Sequence, residues 1–282
     1  MDGFQGGRAL VVEGGAMRGI FASGVLDAFL QEQHTAFDFA IGVSAGATNL
    51  SAYVTRQARR SHAVITRFAR QREFYSPLRF LRGSHLTDVH WLWHHAQQQL
   101  PLDLKGLGAG LPLFVVATHV ATGQPHYIRV DRDNLHAAMV ASCALPFLYR
   151  QPALVGEEHY VDGGVADSIP VRRAYAMGAR EITVVLSRPQ GYRKPAQSSR
   201  LSSRLLRVML REQPGLARQV QARAADYNAS LDFIQQPPAD CRVRVIAPPE
   251  DFAVRRLTMH LEHLERGYAQ GWQAAENYLR AT

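Results

Sequence analysis

Ser44 stands in Gly42-Val43-Ser44-Ala45-Gly46, a G-x-S-x-G pattern. A serine hydroxyl in that setting can be a nucleophile if a sharp strand-to-helix turn carries it, because the turn lifts it clear at the end of a sheet. The flanking residues meet that condition. Phe37, Phe39, Ile41 and Val43 alternate as a short strand would. Residues 47–58 hold neither Pro nor Gly, so a helix can follow. Gly42, Ala45 and Gly46 are small where such a turn is crowded. Taken alone, the pattern fits a plain turn with an exposed serine equally well.

Two further loops carry residues that such a serine would need. Ala9-Leu-Val-Val reads as a buried strand, Gly14-Gly15-Ala16-Met17-Arg18-Gly19 follows, and Ile20, Val25, Leu26, Phe29 and Leu30 then fall at helical spacing. The loop breaks the dinucleotide G-x-G-x-x-G pattern at Ala16, and it lacks the Lys and Ser/Thr of a phosphate-binding P-loop. What it can offer is unpaired backbone N–H groups aimed at a developing oxyanion. Two successive strand–loop–helix units put both loops at the same carboxyl edge of a parallel sheet. The third loop is Asp162-Gly163-Gly164, after a strand-like His159-Tyr-Val. It reads as an ordinary turn or as a carboxylate base on a corner bare enough to approach another loop. His90 and His94 have a zinc-compatible spacing, but no Glu lies between them and no third ligand is evident. No acidic calcium loop is present either, so no metal or other cofactor is expected.

The elements that must hold these groups can be read more coarsely. The chain of 282 residues suits one large α/β domain or two small ones, and at 46% hydrophobic it can form a substantial core. Further strands are expected at 113–120, 126–130, 159–161, 181–186 and 242–249, and helices at 133–143, 170–177 and 257–279. Residues 51–82 read as a basic helix with a solvated face. Residues 74–110, with Phe74, Tyr75, Phe80, Trp91 and Trp93, read as a cap over the site or as core. Cys143 and Cys241 are expected as separate reduced thiols. The net charge of +8 favours anionic partners. Arginines crowd 188–223, where Leu201, Leu205, Val208 and Met209 share one helix face: either a helix on an anionic membrane surface or an ordinary packed helix. With no secretory signal and no apolar run near ~18 residues, the chain is expected to be cytoplasmic, with peripheral contact at the inner membrane surface left open. No specific nucleic acid is expected, and the oligomeric state is not legible.

Glu-Gly-Gly-Ala-Met-Arg-Gly (13–19), Gly-Val-Ser-Ala-Gly (42–46), Ala-Ser-Cys-Ala-Leu-Pro (141–146) and Asp-Gly-Gly (162–164), in this order, resemble the patatin-like phospholipases, most closely their bacterial members. The resemblance spans nearly the whole chain. It implies a three-layer α/β/α sandwich with a mostly parallel central sheet, forming one domain over 1–282. Within it lie a core over about 8–190 and a basic helical region, late strand and closing helix over 191–282. It implies a serine lipid acyl hydrolase without a catalytic histidine, acting on a lipid or acyl ester. Ser44 matches the nucleophile, Asp162 the base, and Gly14, Gly15 and Ala16 the oxyanion hole; Arg18, Gly19, Gly42, Gly46, Gly163 and Gly164 support the motifs. Ala16 departs from the family's usual glycine. Arg18 raises the local positive potential or binds a lipid phosphate, or else makes a structural salt bridge. Two other readings stay open. One is an α/β-hydrolase-type esterase whose histidine is His260 or His263; the other is a non-catalytic basic binder of membranes or nucleic acid.

Overall fold

Ala9 and Val11 point to one side of the first strand, Leu10 and Val12 to the other, and all four are fully buried. A strand covered on both faces belongs inside a parallel sheet. The computed structural model, which describes residues 4–107, 110–195 and 210–281, has that sheet at its centre. In chain order its elements are β1 (Gly7–Val12), a 3-10 turn Ala16–Arg18, α1 (Gly19–Gln31), β2 (Phe39–Val43), α2 (Ala45–Val54), and α3 (Arg60–Ala63) running into a π-turn Val64–Phe68. Next come α4 (Pro77–Leu81), α5 (Val89–Gln99), β3 (Leu113–His119), β4 (Pro125–Arg129), α6 (Leu135–Cys143), β5 (Ala153–Val155) and β6 (Glu158–Asp162). A 3-10 turn Gly163–Val165, α7 (Val171–Ala176), β7 (Ala179–Val185), α8 (Pro214–Gln235), β8 (Arg242–Ile246) and α9 (Leu261–Arg280) complete the described chain.

β3, β2, β1, β7 and β8 pair in parallel in that order, and β4, β5 and β6 add antiparallel strands. One face packs on α1, α2, α5, α6 and α9, with Phe21, Phe29 and Leu50 at full burial. The other packs on α7 and α8 through Ile169, Val171, Tyr227 and Leu231. This is the three-layer α/β/α architecture that the family resemblance implied. Among the described residues no helix is long and apolar enough to cross a membrane.

The long basic helix expected over 51–82 is instead broken. Thr55 turns its hydroxyl back onto the Ser51 and Ala52 carbonyls, and Arg56 and Arg59 take positive φ values of 56° and 66°, which a right-handed helix cannot continue through. Nor is its basic face wholly solvated. Arg60 is buried at 4% exposure, donates from Nε to Leu100 O at 2.8 Å and lies over the Trp93 ring. The amphipathic face of Leu201, Leu205, Val208 and Met209 lies outside the described residues.

Candidate functional site

The edges of β3 bring the two chemistry-bearing corners together. Along one edge β4 pairs with Phe114–Thr118. Ala117 and Thr118 also pair with Asp162 and Val161 of β6, so β6 must lie on the opposite edge, the one β2 occupies further back. Val43 of β2 therefore pairs with Val116 and Asp162 of β6 with Ala117, neighbouring residues of one strand. Where β2 leaves the sheet, β6 arrives. Ser44 follows Val43 directly and so emerges beside Asp162.

Ser44 takes φ 53° and ψ −122° between β2 and α2. That is a strained backbone for a residue with a Cβ, and neighbouring groups hold it. The Ser44 N–H donates to Ser142 Oγ at 2.9 Å, and that hydroxyl donates to Val116 O at 2.6 Å. Ser142 is wholly buried and ties the elbow to the strand that carries both corners. Gly46 lets α2 start hard against β1: a Cβ there would sit 2.5 Å from Val12 O and 2.8 Å from Glu13 O. Gly42 faces the Ala47 backbone in the same way. At Gly163 a Cβ would collide with Val116 O, so only glycine lets the chain turn away from β3 immediately after Asp162.

Asp162 is 2% exposed. Its Oδ1 accepts the Gly164 N–H at 2.7 Å, and its backbone carbonyl accepts Thr118 Oγ1 at 2.9 Å. Oδ2 has no hydrogen-bond partner among the described residues. Burial pushes the carboxyl pKa up; the nearby Ser44 hydroxyl, the Arg223 guanidinium, the Gly164 N–H and Arg256 pull against it. Serine and carboxylate are thus neighbours without a closed hydrogen bond between them. Burial pushes the nearby Cys143 thiol up to about 12, which disfavours the reactive thiolate.

The loop between β1 and α1 closes the third side. Gly14 abuts Val43 O and Ser44 Cβ, and Gly15 abuts Ser187. Ala16 has φ 50°, the left-handed region where glycine would sit without cost. Among the described residues the N–H groups of Gly14, Gly15 and Ala16 donate to no protein acceptor. Gly19 lies behind the loop, against Ala45, and its carbonyl accepts Asn49 Nδ2 at 2.7 Å. Arg18 is 4% exposed and makes no salt bridge among the described residues. Its Nε and Nη2 donate to Ser187 Oγ at 3.3 and 3.1 Å, and Nη1 has no partner.

Gly14, Gly15, Ala16, Arg18, Ser44, Asp162 and Gly164 line one narrow polar crevice. Gly19, Gly42, Gly46 and Gly163 are not in its wall; they let the walls approach. A second, apolar cavity of about 320 Å³ opens on the other side of Ser44 and Ala16. Met17, Ile65, Phe74, Leu92, Trp93 and Met259 are in its lining, so part of the 74–110 segment is a wall of this cavity. His260 and His263 line neither space; they face each other at the start of α9. His90 packs edge-on against His136, and His94 shares a hydrogen bond with Gln98. Among the described residues no three His, Cys, Asp or Glu side chains gather as for a metal ion.

Several site residues carried no local signal in the sequence. Ser142 lies inside a quoted motif, but its tie to Ser44 spans 98 positions. Arg188, Lys194 and Arg223 belong to the basic 188–223 stretch, but nothing in it pointed to the crevice, which they share with Tyr227 and Arg256; only the fold gathers them.

A family model described as patatin-like phospholipase matches residues 10–175, and one described as a domain of unknown function, DUF6363, matches 213–282. The chain is 36% identical over 274 residues to the Escherichia coli (strain K12) protein described as uncharacterized protein YjjU, covering 95% of this chain and 76% of that one. The solved structure of VipD from Legionella pneumophila is similar at a TM-score of 0.49 and 13% identity, covering 98% of this chain and 67% of that one. The first match takes in the elbow, the loop before α1 and the Asp162 corner together, and on it the chain belongs to the patatin-like phospholipase family.

Proposed function

We propose that this protein is a serine lipid acyl hydrolase using Ser44 and Asp162 as a dyad. The observation that carries the reading is the position of Ser44. It lies at the junction of an apolar cavity, a buried carboxylate and a loop of unclaimed N–H groups. Ser44 Oγ attacks the ester carbonyl and Asp162 Oδ2 takes its proton. The resulting oxyanion is held by the N–H groups of Gly15 and Ala16, with Gly14 beside them. Collapse expels the alcohol, which leaves with the proton from Asp162, and an acyl-enzyme remains. Asp162 next takes a proton from water, whose oxygen attacks the acyl carbon, and the fatty acid departs as Ser44 recovers its proton.

A carboxylate is a weak base for an alcohol, its reference pKa being about 3.9. Burial of Asp162 raises its basicity, and preorganised oxyanion donors supply more, about 10²–10³ in rate for each one. The open Oδ2 fits this role, since catalytic hydrogen bonds are often closed only in the substrate complex. The apolar cavity has room for an acyl chain. Leu257, in its lining, is 42% exposed, and Leu78 and Leu81 of α4 are 58% and 81% exposed. With exposed Arg82 next to Leu81, these side chains suit contact with an anionic lipid surface.

The test is turnover of a short-chain nitrophenyl ester, with labelling by a fluorophosphonate. Ser44→Ala should lose both, and Asp162→Asn should lose turnover by at least about 10³-fold. Near wild-type turnover in either variant would remove the dyad. A His260→Ala/His263→Ala double variant should stay active; its inactivation would favour a histidine triad. Absence of labelling in the wild-type protein would favour a non-catalytic binder.

A further inference from the structure

We propose that the crevice beside Ser44 recognises the terminal phosphate of a phosphomonoester lipid, such as a monoacylglycerol phosphate, and that the 213–282 region supplies one wall of this recognition site. The inference rests on the hydrolase reading and narrows its substrate.

Charge is the first ground. Arg18, Arg188, Lys194, Arg223 and Arg256 line the crevice against only two carboxylates, Glu13 and Asp162. Glu13 is already engaged: Oε2 accepts the Ser187 N–H at 2.6 Å and Oε1 the Tyr227 hydroxyl at 3.1 Å. Among the described residues none of the five cations makes a salt bridge. The second ground is an open donor. Arg18 is almost completely buried, yet its Nη1 has no partner. A guanidinium out of water with a free N–H is costly unless a charged acceptor arrives. Size is the third. The crevice holds about 50 Å³, where a single water needs about 10–15 Å³ on the same measure, so it suits a tetrahedral oxyanion group and not a bulky headgroup. The cations also strain one another. Burial, Arg223, Arg256 and Arg18 press Lys194 down to about 7, against the pull of Glu13. A bound dianion would relieve that crowding.

Placement turns the anion site into a headgroup site. Ser44 and Ala16 line both the cationic crevice and the apolar cavity. An acyl chain in the cavity sets its ester carbonyl at Ser44, and the three-carbon glycerol unit leaves the phosphate in the crevice. A choline headgroup would bring a trimethylammonium against like charge. Arg223, Tyr227 and Arg256 come from the stretch matched only by the domain of unknown function. Arg223 is anchored by Nε to Gly164 O at 2.7 Å, two residues beyond Asp162.

The test compares fatty-acid release from 1-oleoylglycerol 3-phosphate, 1-oleoylglycerophosphocholine and 1-oleoylglycerol. All are kept monomeric, so that aggregate surface charge plays no part. The phosphomonoester should be preferred by at least about tenfold in kcat/KM over both others, as charge-assisted hydrogen bonds imply. An Arg188→Gln/Lys194→Gln variant should lose most of that ratio, whereas Arg67→Gln, an exposed position outside both spaces, should keep it. Equal rates for the phosphomonoester and 1-oleoylglycerol overturn the proposal and leave the hydrolase reading intact. So does inhibition of 1-oleoylglycerol hydrolysis by inorganic phosphate without preference for the phosphorylated lipid, which would mark a site for the free anion. An equal fall of the ratio in Arg67→Gln would mean general surface charge and also overturns it. If no ester is hydrolysed and no fluorophosphonate is bound, the hydrolase reading fails and the headgroup site fails with it.

Discussion

In the proposed mechanism Asp162 accepts a proton while held almost wholly out of water. Burial disfavours its charged form, which improves it as a base and taxes the fold. The sign can be followed through. With its folded pKa above the unfolded value, the native state binds the proton more tightly, and stability falls as pH rises from the ordinary carboxylate range through the raised pKa. Asp162→Asn should therefore melt at or above the wild-type temperature at neutral pH, because Asn keeps an oxygen for the Gly164 N–H and carries no charge, while turnover is lost. The kcat/KM profile should have its acid limb above the reference value of about 3.9; a limb at or below that value would show that burial does not govern the base. Ala16 makes the opposite trade. At φ 50° its side chain is strained, so Ala16→Gly should raise stability by about 1 kcal/mol in denaturant unfolding.

At the scale of elements, the site depends on β3 serving two strands in succession along one edge, β2 and then β6. Each side of that junction needs a glycine, Gly46 before β1 and Gly163 against Val116. A second close approach ties the C-terminal part to the first unit. α9 crosses α1 with Gly24 against the Tyr268 carbonyl and Gly271 against the Phe21 carbonyl, and Tyr268 OH donates to Asp27 Oδ2 at 2.9 Å. Any side chain at these glycines separates two backbones, which cannot repack as a rotamer would. Gly271→Leu should cost at least about 3 kcal/mol, read as a lowered unfolding midpoint by circular dichroism. Only a loss of well under 1 kcal/mol would show that α9 is not locked to α1.

Over the whole molecule, the proposed substrate selection divides between an apolar cavity and a cationic crevice that share Ser44 in their linings. The cavity wall tests that division. Ala69 is buried at 4% exposure and lines the cavity, so Ala69→Trp should fill it and shift ester preference from long to short acyl chains by about tenfold or more in kcat/KM, with fluorophosphonate labelling retained. An unchanged chain-length profile would place the acyl group elsewhere. The sequence by itself determined the local units: β1 and its glycine loop, the Ser44 elbow, and the Asp162-Gly163-Gly164 corner. Each is written in period-two or helical spacing and in small residues over a dozen or so positions, and local sterics act within that range. It could not disclose the break after Val54, which turns on the left-handed Arg56 and Arg59. Nor could it disclose that Ser142 braces Ser44, or that Arg223 and Arg256 stand in the same crevice as Arg18. Those juxtapositions join stretches far apart in the chain, and only the sheet order and the packing of α8 and α9 on it bring them within reach.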